Sequence, residues 1–243
     1  MSGHSHWATI KHKKTTSDLQ KGKIFSKLAR EIEVAAREGG DPELNPKLRV
    51  AIEKAREAKM PAENIERAIQ RGTGELAGGK LEEVLYEAYG PGGVAIIIEG
   101  ITDNKNRALM EIKQILQKYN GKLVSEGGVK WMFERKGCLI VDSKSQNENL
   151  QNKEKLELLA IEAGAEDLYW HGDLLDVYTK IEDLGKVKEN LTKKGVKIDS
   201  FSLDWVPKEM VETDEKTKEI CKKLFEALDE TDTVQEIYSN LKL

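Results

Sequence analysis

The sequence predicts a multidomain chain of α and α+β architecture, with an N-terminal three-helix domain followed by two α/β domains. Three observations predict it. At 243 residues the chain exceeds one average domain. Its apolar residues recur at helical spacing up to about residue 72 and then change to extended runs. The glycine-rich stretch GTGELAGG marks the change.

The first segment reads as three helices. Ser17 and Gln20 have capping-box spacing, and Phe25, Leu28, Ile32 and Ala35 follow at intervals of three and four until Gly39 and Gly40 stop the helix. Asn45 and Pro46 supply an N-cap and a first-turn proline for the second helix, which buries Leu48, Ile52 and Ala55. Pro61 opens the third, with Ile65, Ala68 and Ile69 inward, and Gly72 is placed to end it. Beyond the linker, EEVLYEAYGPGGVAIIIEG gives two extended runs around Gly90-Pro91-Gly92-Gly93. The run from Val94 to Ile98 is apolar throughout, as a strand buried on both faces would be. A helix from about Asn104 carries Ala108, Ile112, Ile115 and Leu116, and Val129 to Phe133 reads as a strand.

Residues 134–203 form a further unit. GCLIVD is a strand, and Leu156, Leu159, Ala160 and Ala163 mark a helix ending at Gly164. Two strands then flank Gly172-Asp173, a two-residue hairpin signal. Ile181, Leu184, Val187 and Leu191 mark a helix, and Val196, Ile198, Phe201 and Leu203 a last strand whose alternation slips once, as a bulge would make it. The order βαββαβ is ferredoxin-like. EMVETDEKTKEICKKLFEALDE and DTVQEIYSNL are expected to return the chain to the second segment as helices. The third unit would then be inserted into the second, giving domains 1–75, 76–133 with 204–243, and 134–203, with three contiguous lobes as the alternative.

The net charge of −4 hides an asymmetry. Residues 1–30 hold seven Lys and Arg against the single acid Asp18, a balance of +6, and the rest of the chain carries −10. A split of this kind points to a polyanion partner at one end, unless the segment is only a solvated tail. Cys138 and Cys221 match no metal spacing and fit two inert thiols in a reducing compartment. No apolar run reaches the roughly 18 residues of a membrane span, and the N-terminus lacks the apolar core of a secretory signal, so a cytoplasmic protein without a membrane partner is expected.

Little in the sequence supports catalysis. Gly72-x-Gly74-x-x-Ala77 matches a dinucleotide fingerprint only as letters, because a helix precedes it and a strand follows. No phosphate loop, HExxH or GxSxG occurs, and no pair of carboxylates stands out for acid–base work. His4, His6 and His12 lie where no stable fold would orient metal ligands, and His171 flanks a hairpin as a structural residue. The expectation is a protein that is not an enzyme and has no cofactor, no metal and no small-molecule substrate.

What remains is cationic. In the stretch HSHWATIKHKK and the helix after it, Lys11, Lys13, Lys14, Lys21, Lys23, Lys27 and Arg30 can neutralise phosphates, with His12 among them, and Trp7 can stack on a base. Lysine dominates, so the arm would give affinity with little base reading. The helix pair around Lys59-Met60-Pro61 has the outline of a helix-turn-helix exposing Asn64, Arg67, Gln70 and Arg71, but Glu63 and Glu66 at the reading end would repel phosphates. Helical hairpins that bind nothing are far commoner. The βαββαβ unit has Cys138-Leu139-Ile140 after Lys136-Gly137 and lacks the stacking aromatics of an RNA-recognition motif.

The chain resembles the YebC family of three-domain cytosolic proteins along its whole length. The resemblance is carried by SGHSHWATIKHKK, GKIFSKLAREI, NPKLRVAIEKAREAKMPAENIERAIQRG, YEAYGPGGVAIIIE, TDNKNR, GGVKWMFERKG and DTVQEIYSN. Family members commonly carry a basic residue where His6 stands, which leaves this arm one cation short unless His6 is protonated. The resemblance implies one of two functions. Many members are described as transcriptional regulators that bind DNA, and others resemble ribosome-associated translational activators that meet ribosomal RNA and aid synthesis of proline-rich stretches. It also implies a functional interdomain face made of Tyr86, Glu87, Tyr89, Gly90, Pro91, Gly92, Gly93, Asp103, Asn104, Lys105, Asn106 and Arg107. Domain-interface packing for the tyrosines and a tight turn for the glycines remain the plain alternative. Arg107 at a helix start is disfavoured by the helix dipole, which favours the functional reading.

Overall fold

A computed structural model describes residues 18–242, with side chains described from residue 21. It is a mixed α/β molecule with seven α-helices among the described residues and two four-stranded antiparallel sheets. Helices α1 (Asp18–Ala36), α2 (Pro46–Glu57) and α3 (Ala62–Thr73) pack around Ile32, Leu48, Ala55 and Ile65. Asn45 caps α2 by accepting from the Leu48 N–H at 3.1 Å, and Pro46 sits in the first turn, where no N–H is needed. Helix α3 runs through Gly72 and ends at Gly74, which takes the left-handed conformation. Gly72 has a different task. A Cβ there would lie 2.3 Å from the Glu33 carbonyl oxygen, so its glycine permits α1 and α3 to touch.

The first sheet has the order β3-β1-β2-β8, from β1 (Glu82–Tyr89), β2 (Ala95–Thr102), β3 (Lys122–Val124) and β8 (Val234–Ser239). Alternation sends Ala88, Ile96 and Ile98 to one face, against Ile112 and Leu116 of α4 (Lys105–Lys118) and Leu224, Phe225 and Leu228 of α7 (Glu215–Asp229). The opposite face gathers Ala95, Ile97 and Tyr238 with Val129, Phe133 and Trp205. The apolar run of β2 is buried on both faces, as expected.

The second sheet has the order β5-β6-β4-β7, from β4 (Phe133–Asp142), β5 (Asp167–His171), β6 (Leu174–Thr179) and β7 (Ser200–Pro207). Helices α5 (Lys153–Ala163) and α6 (Leu184–Lys193) cover one face through Leu156, Ala160, Val187 and Leu191. Gly164, with φ of 108°, ends α5, and β5 and β6 meet across Gly172 and Asp173.

Four further expectations need correction. DTVQEIYSNL is not a helix: its apolar spacing at Val234, Ile237 and Leu241 is helix-like, but Val234–Ser239 forms β8 against β2. Val129 to Phe133 is not a strand until Phe133. Lys130–Met132 is a turn of 3-10 helix, because the N–H groups of Val129 and Lys130 go to the Glu87 carboxylate instead of a neighbouring strand. The alternation slip at 196–203 is not a bulge, since Val196 and Ile198 precede β7 and its register with β4 is continuous. The register shift lies between Glu99 and Gly100, where β2 meets β8. Finally, β7 continues to Pro207, past residue 203, because Trp205 and Val206 pair with Arg135 and Glu134.

Candidate nucleic-acid interface

Trp7, Lys11, His12, Lys13 and Lys14 lie outside the described residues. Helix α1 carries the remaining cations of the arm. Lys21 and Lys23 are exposed, but Lys27 and Arg30, on one side of the helix at i, i+3 spacing, turn toward the protein. The Lys27 ammonium lies 2.7 Å from the Asp229 carboxylate and donates to the Asp229 carbonyl at 3.3 Å. The Arg30 guanidinium donates to the carbonyl of Asp232 and, at 3.5 Å, to that of Ile101. These two cations dock α1 onto the C-terminal end of α7, the residues just after it and the end of β2. In the turn between α2 and α3, Lys59 takes a positive φ of 59° and Met60 is buried, leaving Glu63, Glu66, Arg67 and Arg71 exposed along α3.

The residues of the expected interdomain face are divided by the strand that carries them. Tyr86 lies with the helix-covered core, and its hydroxyl donates to the Lys105 carbonyl at 3.4 Å. Glu87 and Tyr89 point to the other face. The Glu87 carboxylate accepts the N–H groups of Gly127, Val129 and Lys130 at 2.6, 2.7 and 2.7 Å, and the Tyr89 hydroxyl donates to the Gly128 carbonyl at 3.4 Å. Burial pushes the Glu87 carboxyl up, but these three donors together hold it below its ordinary pKa. Gly92 packs against Thr217 and Thr213, and the Pro91 carbonyl accepts from the Cys221 thiol at 3.7 Å, so the glycine turn rests on α7. Asn104 caps α4 by accepting from the Arg107 N–H at 3.0 Å. The ion pair of Arg107 with Asp103 answers the unfavourable helix dipole. Lys105 pairs with Glu82 at 2.6 Å, and Asn106 is exposed.

Asp103 and Arg107 do meet the arm's helix, across a cleft of about 1060 Å³ that also holds Arg30, Glu33, Arg71 and Glu111. Its acids outnumber its arginines once Glu230 and Asp232 are included. Glu33 is buried there, and desolvation raises its pKa against the pull of Arg71, Arg37 and Arg30. The cleft is not built for a phosphate.

Sequence reasoning missed Trp131. Read as a strand, the segment would put Val129, Trp131 and Phe133 on one face. In the 3-10 turn, Val129 and Phe133 remain buried while Trp131 is 64% exposed. Its indole N–H donates to the Gly128 carbonyl at 3.2 Å, and the Lys208 ammonium donates to the Trp131 carbonyl at 2.9 Å. Among the described residues no group of His, Cys, Asp and Glu could hold a metal ion, and no helix is long and apolar enough to cross a membrane.

A helical module whose N-terminal approach is cationic, joined to two antiparallel sheets each covered by a helix pair, defines a three-part class in which charge is concentrated at one end. The chain belongs to the TACO1/YebC family: the model of the TACO1/YebC N-terminal domain matches residues 5–75, and that of the second and third domain matches residues 81–241. It is 50% identical to a Halothermothrix orenii protein over 100% of this chain and 96% of that one, and 49% identical to an Aquifex aeolicus protein with the same coverage. Both are named "Probable transcriptional regulatory protein". The fold is similar to the crystal structure of a conserved hypothetical protein from Aquifex aeolicus, with a TM-score of 0.88 and 48% identity over 98% of this chain and 97% of that one.

Proposed function

We propose that this chain is a non-enzymatic, nucleic-acid-binding regulator of gene expression in the cytoplasm, and that its N-terminal arm holds DNA phosphates. The observation that carries this reading is the balance of +6 within 30 residues on a chain that is otherwise acidic. Lys11, Lys13 and Lys14 with exposed Lys21 and Lys23 are the contacts, His12 adds a cation when protonated, and Trp7 stacks. Lys27 and Arg30 serve docking instead. The names of the relatives support a transcriptional role. Residues 134–203, extended by the last residues of β7, act as a ferredoxin-like unit inserted into the domain formed by 76–133 and the C-terminal segment, and the return of β8 to β2 supports this division.

Lysine contacts do not distinguish DNA from ribosomal RNA, so the specific alternative is a translation factor on the ribosome. With four to five phosphate contacts on duplex DNA, log K falls against log salt with a slope of roughly −4. A slope near zero for the intact protein would remove the arm from the binding surface. Ribosome co-sedimentation at moderate salt without a footprint on promoter DNA would replace transcription by translation.

A further inference from the structure

We infer that Trp131 is a second stacking platform, which takes an unpaired base of single-stranded nucleic acid at a site remote in sequence from the N-terminal arm. The inference rests on the nucleic-acid reading above and adds to it a class of ligand, the single strand. Trp131 stays exposed at 64% although its neighbours Val129 and Phe133 are buried, so its exposure is not the consequence of a loose loop. The segment under it is held by several hydrogen bonds. Glu87 takes the N–H groups of Gly127, Val129 and Lys130, Tyr89 donates to the Gly128 carbonyl, and Gly127 turns the chain with a φ of 82°. The indole N–H is already satisfied by Gly128, which leaves the ring faces as the group's free chemistry.

A large aromatic face held in place loses little conformational entropy on binding, and every base offers a π-face to it. The surroundings favour a nucleic acid over a protein. Exposed Lys208 donates to the Trp131 carbonyl, and Lys130 precedes Trp131 in the chain with its ammonium 5.1 Å from the Trp205 ring centroid. A protein-docking patch needs contiguous apolar surface, yet the other large exposed apolar residues, such as Leu44, Met110 and Ile161, lie on other elements. Duplexes keep their bases stacked on one another and offer no face to an isolated ring, so the platform discriminates single strands from duplexes.

The test uses the full chain, a fluorescein-labelled oligouridylate and a duplex of equal length, with binding read by anisotropy. Trp131→Ala should weaken oligouridylate binding by about five- to hundredfold, Trp131→Phe should retain most of it, and neither should alter duplex affinity or the salt slope. Because the ring is exposed, both variants should melt with the wild type. Unchanged oligouridylate affinity in Trp131→Ala overturns the platform, as does an equal loss on the duplex. If Trp131→Ala lowers ribosome co-sedimentation but leaves oligouridylate affinity unchanged, the ring is not a general single-strand platform and the inference fails. Replacing Lys11, Lys13 and Lys14 by Ala tests the arm separately: loss there with no effect at Trp131 leaves the proposed function standing without the platform.

Discussion

Glu87 is 2% exposed on β1 and joins that strand to a loop through three backbone N–H groups. Both carboxylate oxygens are used, so Glu87→Gln would turn an amide N–H toward N–H groups that already need an acceptor. An unsatisfied buried donor costs about 1–3 kcal/mol, and the urea midpoint should fall accordingly. The pH dependence has a definite sign. A carboxyl held below its unfolded pKa of about 4.3 contributes stability that is present above that value and is lost as pH falls through the folded pKa. The gap between wild type and Glu87→Gln should therefore be full at neutral pH and narrow below about pH 4. Equal midpoints at pH 7 would mean that the carboxylate does not hold the loop. Family resemblance singles out Glu87 and Tyr89, but the residues alone give no physical reason for them. Their partners are backbone groups, which leave no mark in residue identity, and for the same reason the exposure of Trp131 is not legible in the sequence.

Gly72 and Gly22 are both helical glycines, and they separate intrinsic preference from packing. An alanine Cβ at Gly72 would lie 2.3 Å from the Glu33 oxygen and 2.6 Å from the Ala36 Cβ, whereas one at Gly22 meets nothing within 4 Å. Gly72→Ala should force α1 and α3 apart and lower stability by about 1–3 kcal/mol, while Gly22→Ala should raise it by up to about 1 kcal/mol. Thermal melts followed by the helical circular-dichroism signal check both, and a stabilised Gly72→Ala would refute the close contact of the two helices. The sequence reading of Gly72 as a helix stop shows where such reading fails. Asn45, Pro46, Asn104 and Gly164 act on groups within a few residues, so their roles are legible locally. Gly72 answers to α1, and β8 to β2, partners far away along the chain. Helical spacing at Val234, Ile237 and Leu241 carries no information about an open strand edge waiting more than a hundred residues upstream.

Across the whole molecule, the helical module meets the rest of the chain through charged side chains. Lys27 reaches Asp229, Arg30 the Asp232 carbonyl, and Arg37 the Leu81 carbonyl; on another side, Lys188 of α6 lies 3.4 Å from Glu53 of α2. The Lys27–Asp229 pair is partly shielded, with side chains 13% and 27% exposed, so its loss should cost about 1–2 kcal/mol of docking, more than an open surface pair. This assigns different work to cations that a count of charge treats alike. Lys27→Ala should leave the salt slope of nucleic-acid binding unchanged while hydrogen exchange quickens around residues 229–233. Replacing Lys11, Lys13 and Lys14 by Ala should instead flatten the slope by roughly 3 and leave exchange at 229–233 as it was. The two effects are separable because the Lys27 charge is already paired within the fold, whereas Lys11, Lys13 and Lys14 are the proposed phosphate contacts. If Lys27→Ala flattens the slope by about one, its ammonium leaves Asp229 for phosphate on binding, and the docked position of α1 belongs to the free protein alone.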